Sequence, residues 1–556
     1  MNHVQGFLFR VFFVFGRAVK YAGATTGAVF HRYLYGEFLA GNIAFAVGRF
    51  EGFGRIFQRV GIIGFNADSR VRAHQGAETA LDAGVRVPFR YHNGNIAFFI
   101  LRGSGQAAIA IIAKNLGYIV DGCDKSQDGY YHHSLQDNNI SVKCEHSKEH
   151  LKGVDICAVS PAVLVCDPEN EEVKYAKELG ILMTWQEFMG RYIFDRKKLI
   201  CIAGTHGKST TTVSLGSALE YLNADPSVIS GTIYKKWNSG SRVGKSDIFV
   251  CEADEFNLNF LNYHPNIMVI NNLEMDHPET FQSEEELVAG FSAFLRQVRG
   301  EKILVVNAES KLINQLLLKN DGWIKEENIR VIGFHGASKY EYKYDEEVVF
   351  GNVSYDNRGN TTFEISGCEG KFTIPLKGMY NVENSVSVLS VLKVLNYSVE
   401  EMRDAICQFT GVARRFELVG EKRGISIYDD YAHHPTAIKS VLELCNEIKK
   451  REVWVIFEPH QISRILLMFD SFAQALGLAD HVIITKTHIG REIHSGLVPI
   501  EANKWISAIG SDKALYIEEF DDVASYVCAN AQPDDSIIVM GAGESYKISK
   551  LILEEL

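Results

Sequence analysis

From residue 96 onward, short apolar runs bounded by glycine and polar clusters alternate with stretches of helical period. Apolar runs at 96–101, 118–122 and 154–162 predict strands, with helices over 106–116 and 169–179 between them. The run 199–203 is continuously apolar, as expected of a strand covered on both faces, and a helix follows from Lys208 to about Asn223. Further strands are predicted at 247–252, 266–271, 302–306 and 329–334, with β-hairpins over 348–376. A helix rich in Val and Leu opens at Gly378, and strands at 425–428, 453–457, 482–485 and 536–540 alternate with helices to the end. Strands alternating with helices predict an α/β fold built on parallel sheets. A length of 556 residues predicts three or four domains, at roughly 100–200 residues each. The pattern divides at 96–194, a Rossmann-like domain, 195–410, a P-loop ATPase-like parallel sheet, and 411–556, a second Rossmann-like domain.

Residues 1–95 lack this pattern, with no clean period of 3.6 or 2.0 over 16–95. They hold ten Arg and one Lys against five acidic residues, a balance of +6, so with a net charge of -12 the remainder carries -18. The apolar stretch 7–15 is broken by Arg10 and followed by Arg17, too short and charged for a bilayer span of about 20 apolar residues. It carries no clear signal-peptide cleavage pattern. A basic membrane-surface segment is one reading. The preferred expectation is an unassigned Arg/Phe/Gly-rich extension outside the evolved domains, for instance from a misassigned start. Over the whole chain, 46% hydrophobic and 23% charged residues fit a soluble globular protein, and the acidic balance argues against nucleic acid as a partner. Ten Cys without a CxxC pair fit buried thiols in a reducing cytoplasm, not a disulfide framework or structural zinc.

The chemistry gathers after the strands. Gly204-Thr205-His206-Gly207-Lys208-Ser209 joins the buried strand to a helix. Backbone N–H groups face outward at such a helix start, and its dipole adds roughly half a positive charge. Lys208 reaches the terminal phosphates of a nucleotide, and the Ser209 hydroxyl offers itself to Mg²⁺. Ile202 stands where the general Walker pattern has its first glycine. A plain strand-to-helix turn with a solvated lysine is the alternative. Glu252-Ala-Asp-Glu255 and Asn271…Asp276-His277 end two more strands, where α/β enzymes collect their reactive groups. Glu252 is placed to hold Mg²⁺ beside the loop, with a solvated acidic turn as the alternative. His277 is placed to bind a second metal ion or to orient an Asp, with a purely structural histidine as the alternative. Asn381 and Asn384 share one helix face.

In this order, and together with Arg415, Asp430 and the segment Glu458-Pro-His460-Gln-Ile-Ser-Arg464, these elements resemble the Mur ligases over about 96–556. Those enzymes use ATP to join an amino acid or peptide to a nucleotide-linked muramic acid. The resemblance implies ATP and Mg²⁺, with Lys208, His277 and Arg415 catalytic and Ser209, Glu252 and His277 around the metal. It places Gly204, Thr205, His206, Gly207, Lys208, Ser209, Thr210, Asn381, Asn384, Arg415 and Asp430 around the nucleotide. Gly103, Ser104, Gly105, His433, His460 and Arg464 fall around the substrates. The loop, Arg-Arg-Phe and Asp-Asp-Tyr-Ala-His-His-Pro are most similar to the branch that joins L-alanine to the carboxylate of UDP-N-acetylmuramate through an acyl phosphate. That implies a cytoplasmic enzyme of peptidoglycan precursor synthesis, with small-molecule substrates, no nucleic acid and no stable membrane insertion. Addition of a preformed tripeptide, or a degenerate ATP-binding homologue without ligase activity, are the alternatives. Ile100 and Arg102 stand where glycine is expected, Tyr380 where His is expected, and Gln461 where a carboxylate-binding Arg is expected. No lysine matches the carbamylated residue of other members, which the L-alanine branch is expected to lack.

Overall fold

A computed structural model describes residues 95–556 apart from 100–103, 125–131, 168, 337, 357–358, 490–491 and 493–494. The expectations for residues 1–94, and for Ile100, Arg102 and Gly103, fall outside the described residues.

Three sheets follow one another along the described residues. The first contains β1 (Asn95–Phe99), β2 (Ile119–Asp124), β3 (Ser141–Cys144), β4 (Ile156–Val159) and β5 (Leu182–Thr184) in the order β3-β2-β1-β4-β5, all parallel. The helix Ser104–Asn115 crosses from β1 to β2. The second sheet holds β6 (Lys198–Ala203), β7 (Ser227–Tyr234), β8 (Ser239–Arg242), β9 (Ile248–Glu252), β10 (Ile267–Ile270), β11 (Ile303–Asn307), β12 (Arg330–His335), β13 (Glu346–Tyr355), β14 (Thr361–Ile365) and β15 (Phe372–Ile374). Its order is β15-β14-β13-β12-β11-β10-β6-β9-β7-β8, parallel at its centre and antiparallel from β13 to β15 and between β7 and β8. The third sheet comprises β16 (Glu417–Lys422), β17 (Ile425–Asp430), β18 (Val453–Phe457), β19 (His481–Ile484), β20 (Ala514–Tyr516) and β21 (Ser536–Met540), ordered β16-β17-β21-β18-β19-β20. Only β16 runs antiparallel to its neighbour there. This is the expected three-part α/β architecture.

β6 shows why its sequence is apolar throughout. Successive strand residues point to opposite faces, and both faces of this strand are covered. Leu199, Cys201 and Ala203 join the core under the helices Glu284–Leu295 and Lys311–Glu326. Ile200 and Ile202 join the opposite core, with Leu215 and Leu219 of the helix Lys208–Tyr221 and Val382, Val386 and Leu389 of the helix Met379–Val394. Each such aliphatic side chain contributes about 1.5–3 kcal/mol on burial. With β6 locked from both sides, the residues after its end are held on a rigid support. β9 and β10 flank it in parallel, so Glu252 lies beside Ile202 and Asn271 follows Ile270 beside Ala203. Strand ends bearing polar side chains therefore meet at one edge.

Candidate active site

The loop after β6 is bolted to the loop after β10. Thr205 N–H donates to the Asn272 carbonyl (3.1 Å), and His206 N–H donates to Asn272 Oδ1 (2.7 Å). Thr205 Oγ1 donates to the Glu274 carbonyl (3.0 Å) and accepts from Glu274 N–H (2.9 Å). Two glycines make this approach possible. Gly204 has φ +124, and a Cβ there would lie 2.8 Å from the Asn272 carbonyl oxygen. Gly207 has φ +79, and a Cβ would lie 2.2 Å from Asn384 Oδ1. Asn384 Oδ1 accepts from Thr211 Oγ1 (3.2 Å), and Asn271 Nδ2 donates to the same Thr211 oxygen (2.9 Å). Asn384 thus fastens the loop's helix to the helix Met379–Val394. Asn381 instead donates to the Lys377 carbonyl (2.7 Å).

Lys208 folds back over the loop. Its Nζ donates to the Gly204 carbonyl (2.6 Å) and to both Glu255 carboxylate oxygens (2.8 Å each). Burial pulls the Lys208 ammonium down, and Glu255, Asp254 and Glu252 together outweigh that and hold it above its ordinary range. Ser209 Oγ donates to Glu252 Oε1 (3.0 Å), whose other oxygen accepts from Gly231 N–H (2.6 Å). Glu255 also faces His277, and Asp254, Glu255 and His277 present donor atoms within 4.8 Å of one another. His277 has φ +54, a conformation uncommon outside glycine. Burial disfavours the His277 cation, yet Glu279, Asp276 and Glu255 raise its pKa overall. Two carboxylates and one imidazole are donors that take a divalent cation.

The third sheet closes over this edge. Thr436 Oγ1 donates to Glu274 Oε2 (2.6 Å), and His434 Nε2 lies 3.2 Å from the Met275 carbonyl. Gln461 Nε2 donates to Glu279 Oε1 (3.1 Å), and Arg464 Nε donates to Asp276 Oδ1 (2.7 Å). Arg464 is almost wholly buried, and its Nη1 has no hydrogen-bond partner among the described residues. The His433 ring lies 6.1 Å from the His460 ring, which stacks on His488 at 5.3 Å. Arg414 donates to the Gly541 carbonyl (2.7 Å) and lies 3.3 Å from Asp429, while Arg415 lies 5.0 Å from the centre of the Tyr431 ring. Asp430 accepts from Phe416 and Ala432 N–H groups (2.6 and 2.7 Å).

Three family models match in succession: the Mur ligase family catalytic domain over 95–194, the Mur ligase middle domain over 202–392, and the Mur ligase glutamate ligase domain over 414–543. The chain is 33% identical over 468 residues to a UDP-N-acetylmuramate–L-alanine ligase of Caldicellulosiruptor saccharolyticus, spanning 82% of this chain and 98% of that protein. The chain belongs to the Mur ligase family. A namesake from Alkaliphilus metalliredigens is 30% identical over 82% of this chain and 95% of its own length. The solved UDP-N-acetylmuramate–alanine ligase of Thermotoga maritima superposes with TM-score 0.66, at 23% identity over 83% of this chain and 98% of that one. A murein peptide ligase of Psychrobacter arcticus gives 0.62 at 22% identity, over 83% and 98%. At these identities the two structures speak for the fold.

Among the residues singled out from sequence in this Mur ligase, the loop Gly204–Thr210, Asn384, Glu252 and His277 share one edge of the second sheet. Arg464 meets that edge through Asp276. Ser209 and Glu252 lie together, while His277 stands with Asp254 and Glu255. Glu255 was missed as the partner of Lys208, although it ends the acidic motif already noted. Arg414, Glu274 and Glu279 were missed as well. Gly105 lies at the start of the helix Ser104–Asn115, where a Cβ would sit 2.9 Å from the Trp185 ring. The structure gives Gly105 a packing reason to be glycine.

Proposed function

We propose that this protein joins L-alanine to the carboxylate of UDP-N-acetylmuramate, consuming ATP, as a cytoplasmic enzyme of peptidoglycan precursor synthesis. In this reading residues 96–194 hold the UDP portion, 195–410 hold ATP, and 411–556 bring the amino acid. Lys208 exchanges Glu255 for the terminal phosphates, and Gly204–Thr210 surround them with N–H groups. Asn381, Asn384, Arg415 and Asp430 border the nucleotide. Asp254, Glu255 and His277, with Ser209 and Glu252 beside them, are the residues that would hold Mg²⁺, which neutralises phosphate charge. A muramate carboxylate oxygen attacks the γ-phosphorus and ADP leaves, giving an acyl phosphate. The alanine amine adds to that carbonyl, loses a proton, and phosphate departs with the former carboxylate oxygen. Such transfer rests on alignment and charge neutralisation more than on covalent help from side chains. His433, His460 and Arg464 border the amino acid, and the Nη1 of Arg464, without a partner among the described residues, suits its carboxylate.

The observation that carries this reading is the junction itself. Lys208, Glu255, His277, Asp276 and Arg464 run as one chain of ionic contacts from the phosphate loop into the third sheet. The test is phosphate release from ATP with UDP-N-acetylmuramate, screened over single amino acids and a muramyl-type tripeptide. The reading requires release that needs both the muramate substrate and L-alanine. Release with the tripeptide alone moves the assignment to peptide recycling, and ATP turnover that ignores the muramate substrate defeats the ligase reading.

A further inference from the structure

A second cluster of reactive side chains lies in the first sheet, outside the site described above. Cys123 is the penultimate residue of β2, His146 follows β3, and His150 lies in the short turn Lys148–Leu151. Glu172 occupies the first turn of the helix Glu171–Glu178, anchored there because Asn170 Oδ1 accepts from its N–H (3.0 Å). Cys123 Sγ lies 3.1 Å from Glu172 Oε2 and 3.3 Å from His146 Nδ1. His146 Nδ1 lies 3.0 Å from the same carboxylate oxygen, and His150 Nδ1 lies 2.8 Å from Glu172 Oε1. Cys123, His150 and Glu172 present donor atoms that all fall within 4.8 Å of one another. The Glu172 side chain is wholly buried and that of His146 nearly so.

We propose that Cys123, His150 and Glu172, with His146 beside them, form a structural site for a borderline-soft divalent cation, Zn²⁺ by preference. Donors about 2.0–2.3 Å from a tetrahedral zinc stand about 3.3–3.6 Å apart, so the 2.8 and 3.1 Å contacts of His150 and Cys123 with Glu172 need to widen by a few tenths of an ångström to admit the ion. One thiolate and one carboxylate beside neutral imidazole balance a 2+ charge, so the loaded site is neutral where it is buried. Sulfur and imidazole select zinc-like ions over Mg²⁺ or Ca²⁺. Binding releases the thiol proton, and no redox partner is required. Val159, Val163, Val173 and Ala176 pack in the same core as Cys123 and shield it from water. The cation fastens β2, the turn after β3 and a helix start to one another. A search for paired Cys/His spacing misses this set, because its members come from three separate segments of chain.

Cobalt substitution of the full-length protein tests the site. Chelator-stripped protein loaded with one equivalent of Co²⁺ is expected to show a near-ultraviolet sulfur-to-cobalt band and strong visible bands of a four-coordinate ion. The Mg²⁺-type cluster at Asp254, Glu255 and His277 contains no sulfur, so that band reports on a cysteine site. Cys123→Ser should abolish the band, and His150→Ala, a partly exposed position that leaves the core intact, should collapse the visible intensity. Zn²⁺ should displace Co²⁺ and raise the melting temperature of the wild type but not of Cys123→Ser. A wild-type protein without the sulfur band, or a Cys123→Ser protein that keeps it, overturns the proposal.

Discussion

Arg464 donates its Nε hydrogen to Asp276 across the junction of the second and third sheets, at 2.7 Å, with 1% and 8% of the two side chains exposed. Desolvation alone would push the Asp276 carboxyl up, but His277 and Arg464 hold it well below the usual carboxylate range. The pair therefore stays charged while buried, and it links the part of the chain after β18 to the loop that carries His277. Removing one member of such a pair costs about 3–5 kcal/mol, because the other charge is left buried without compensation.

Arg464→Lys should keep the charge but lose the planar fork that can hold Asp276 and a second carboxylate together. We expect the KM for L-alanine to rise at least about tenfold, the scale of one lost charge-assisted hydrogen bond, with the KM for ATP little changed. Steady-state kinetics with each substrate varied in turn checks this. Equal changes in both constants would make Arg464 a closure residue without a substrate contact.

Lys208→Met should lower kcat by about 10²–10³-fold, the scale of one preorganised charge stabiliser removed. It should also destabilise the fold, because Glu255 is 2% exposed and loses its contact with the Lys208 ammonium. Lys208→Met/Glu255→Gln should regain stability without regaining activity. Thermal melts and single-turnover assays of the two variants separate these effects. Recovery of activity in the double variant would contradict the role given to Lys208.

Gly207→Ala places a methyl group where Asn384 Oδ1 now stands, at a φ of +79. Asn384 would have to leave Thr211 and Asn271, so the loop and the helix Met379–Val394 lose their shared hydrogen bonds. ATP affinity measured by calorimetry should fall at least about tenfold, the equivalent of 1.4 kcal/mol. Unchanged affinity would mean that the loop tolerates a different shape.

Glu383 lies on the same helix, and burial, helped by Glu309, pushes its carboxyl up to about 7. A carboxyl raised on folding binds its proton more tightly in the folded state. Its contribution is therefore fully present below the unfolded value near 4.5 and is lost as pH rises through about 7. Glu383→Gln should flatten that decline and stabilise the protein by roughly 1–3 kcal/mol at pH 8 relative to the parent. Denaturant unfolding at pH 5, 6.5 and 8 measures it, and an identical pH slope in both proteins would refute the assignment.

The centre of the fold was legible because β6 is apolar at every position and is followed at once by a glycine turn. A strand buried on both faces leaves little room for another reading. The edge of the same sheet was not legible. β7 and β8 read Ser-Val-Ile-Ser-Gly-Thr-Ile-Tyr and Ser-Gly-Ser-Arg, where serine and glycine interrupt any apolar run or alternation. Their hydroxyls are nonetheless buried and satisfied locally, as where Ser239 and Ser241 pair at 3.2 Å. Lys208 and Glu255 are 47 positions apart, and only the register of β6 beside β9 brings their segments together. Arg414 and Arg415 are adjacent in sequence, so spacing could not show that Arg414 is the one fastened to the Gly541 carbonyl. The N-terminal cluster around Glu172 escaped for the same reason as Glu255: its members converge only after folding.

The most direct measurement follows oxygen. UDP-N-acetylmuramate carrying ¹⁸O in its carboxylate is incubated with the protein, ATP, Mg²⁺ and L-alanine, and the released phosphate is analysed by mass spectrometry. The account predicts one ¹⁸O atom in each phosphate and the other in the new amide product. Phosphate without label, or label that appears without amide formation, would contradict an acyl phosphate formed at Lys208.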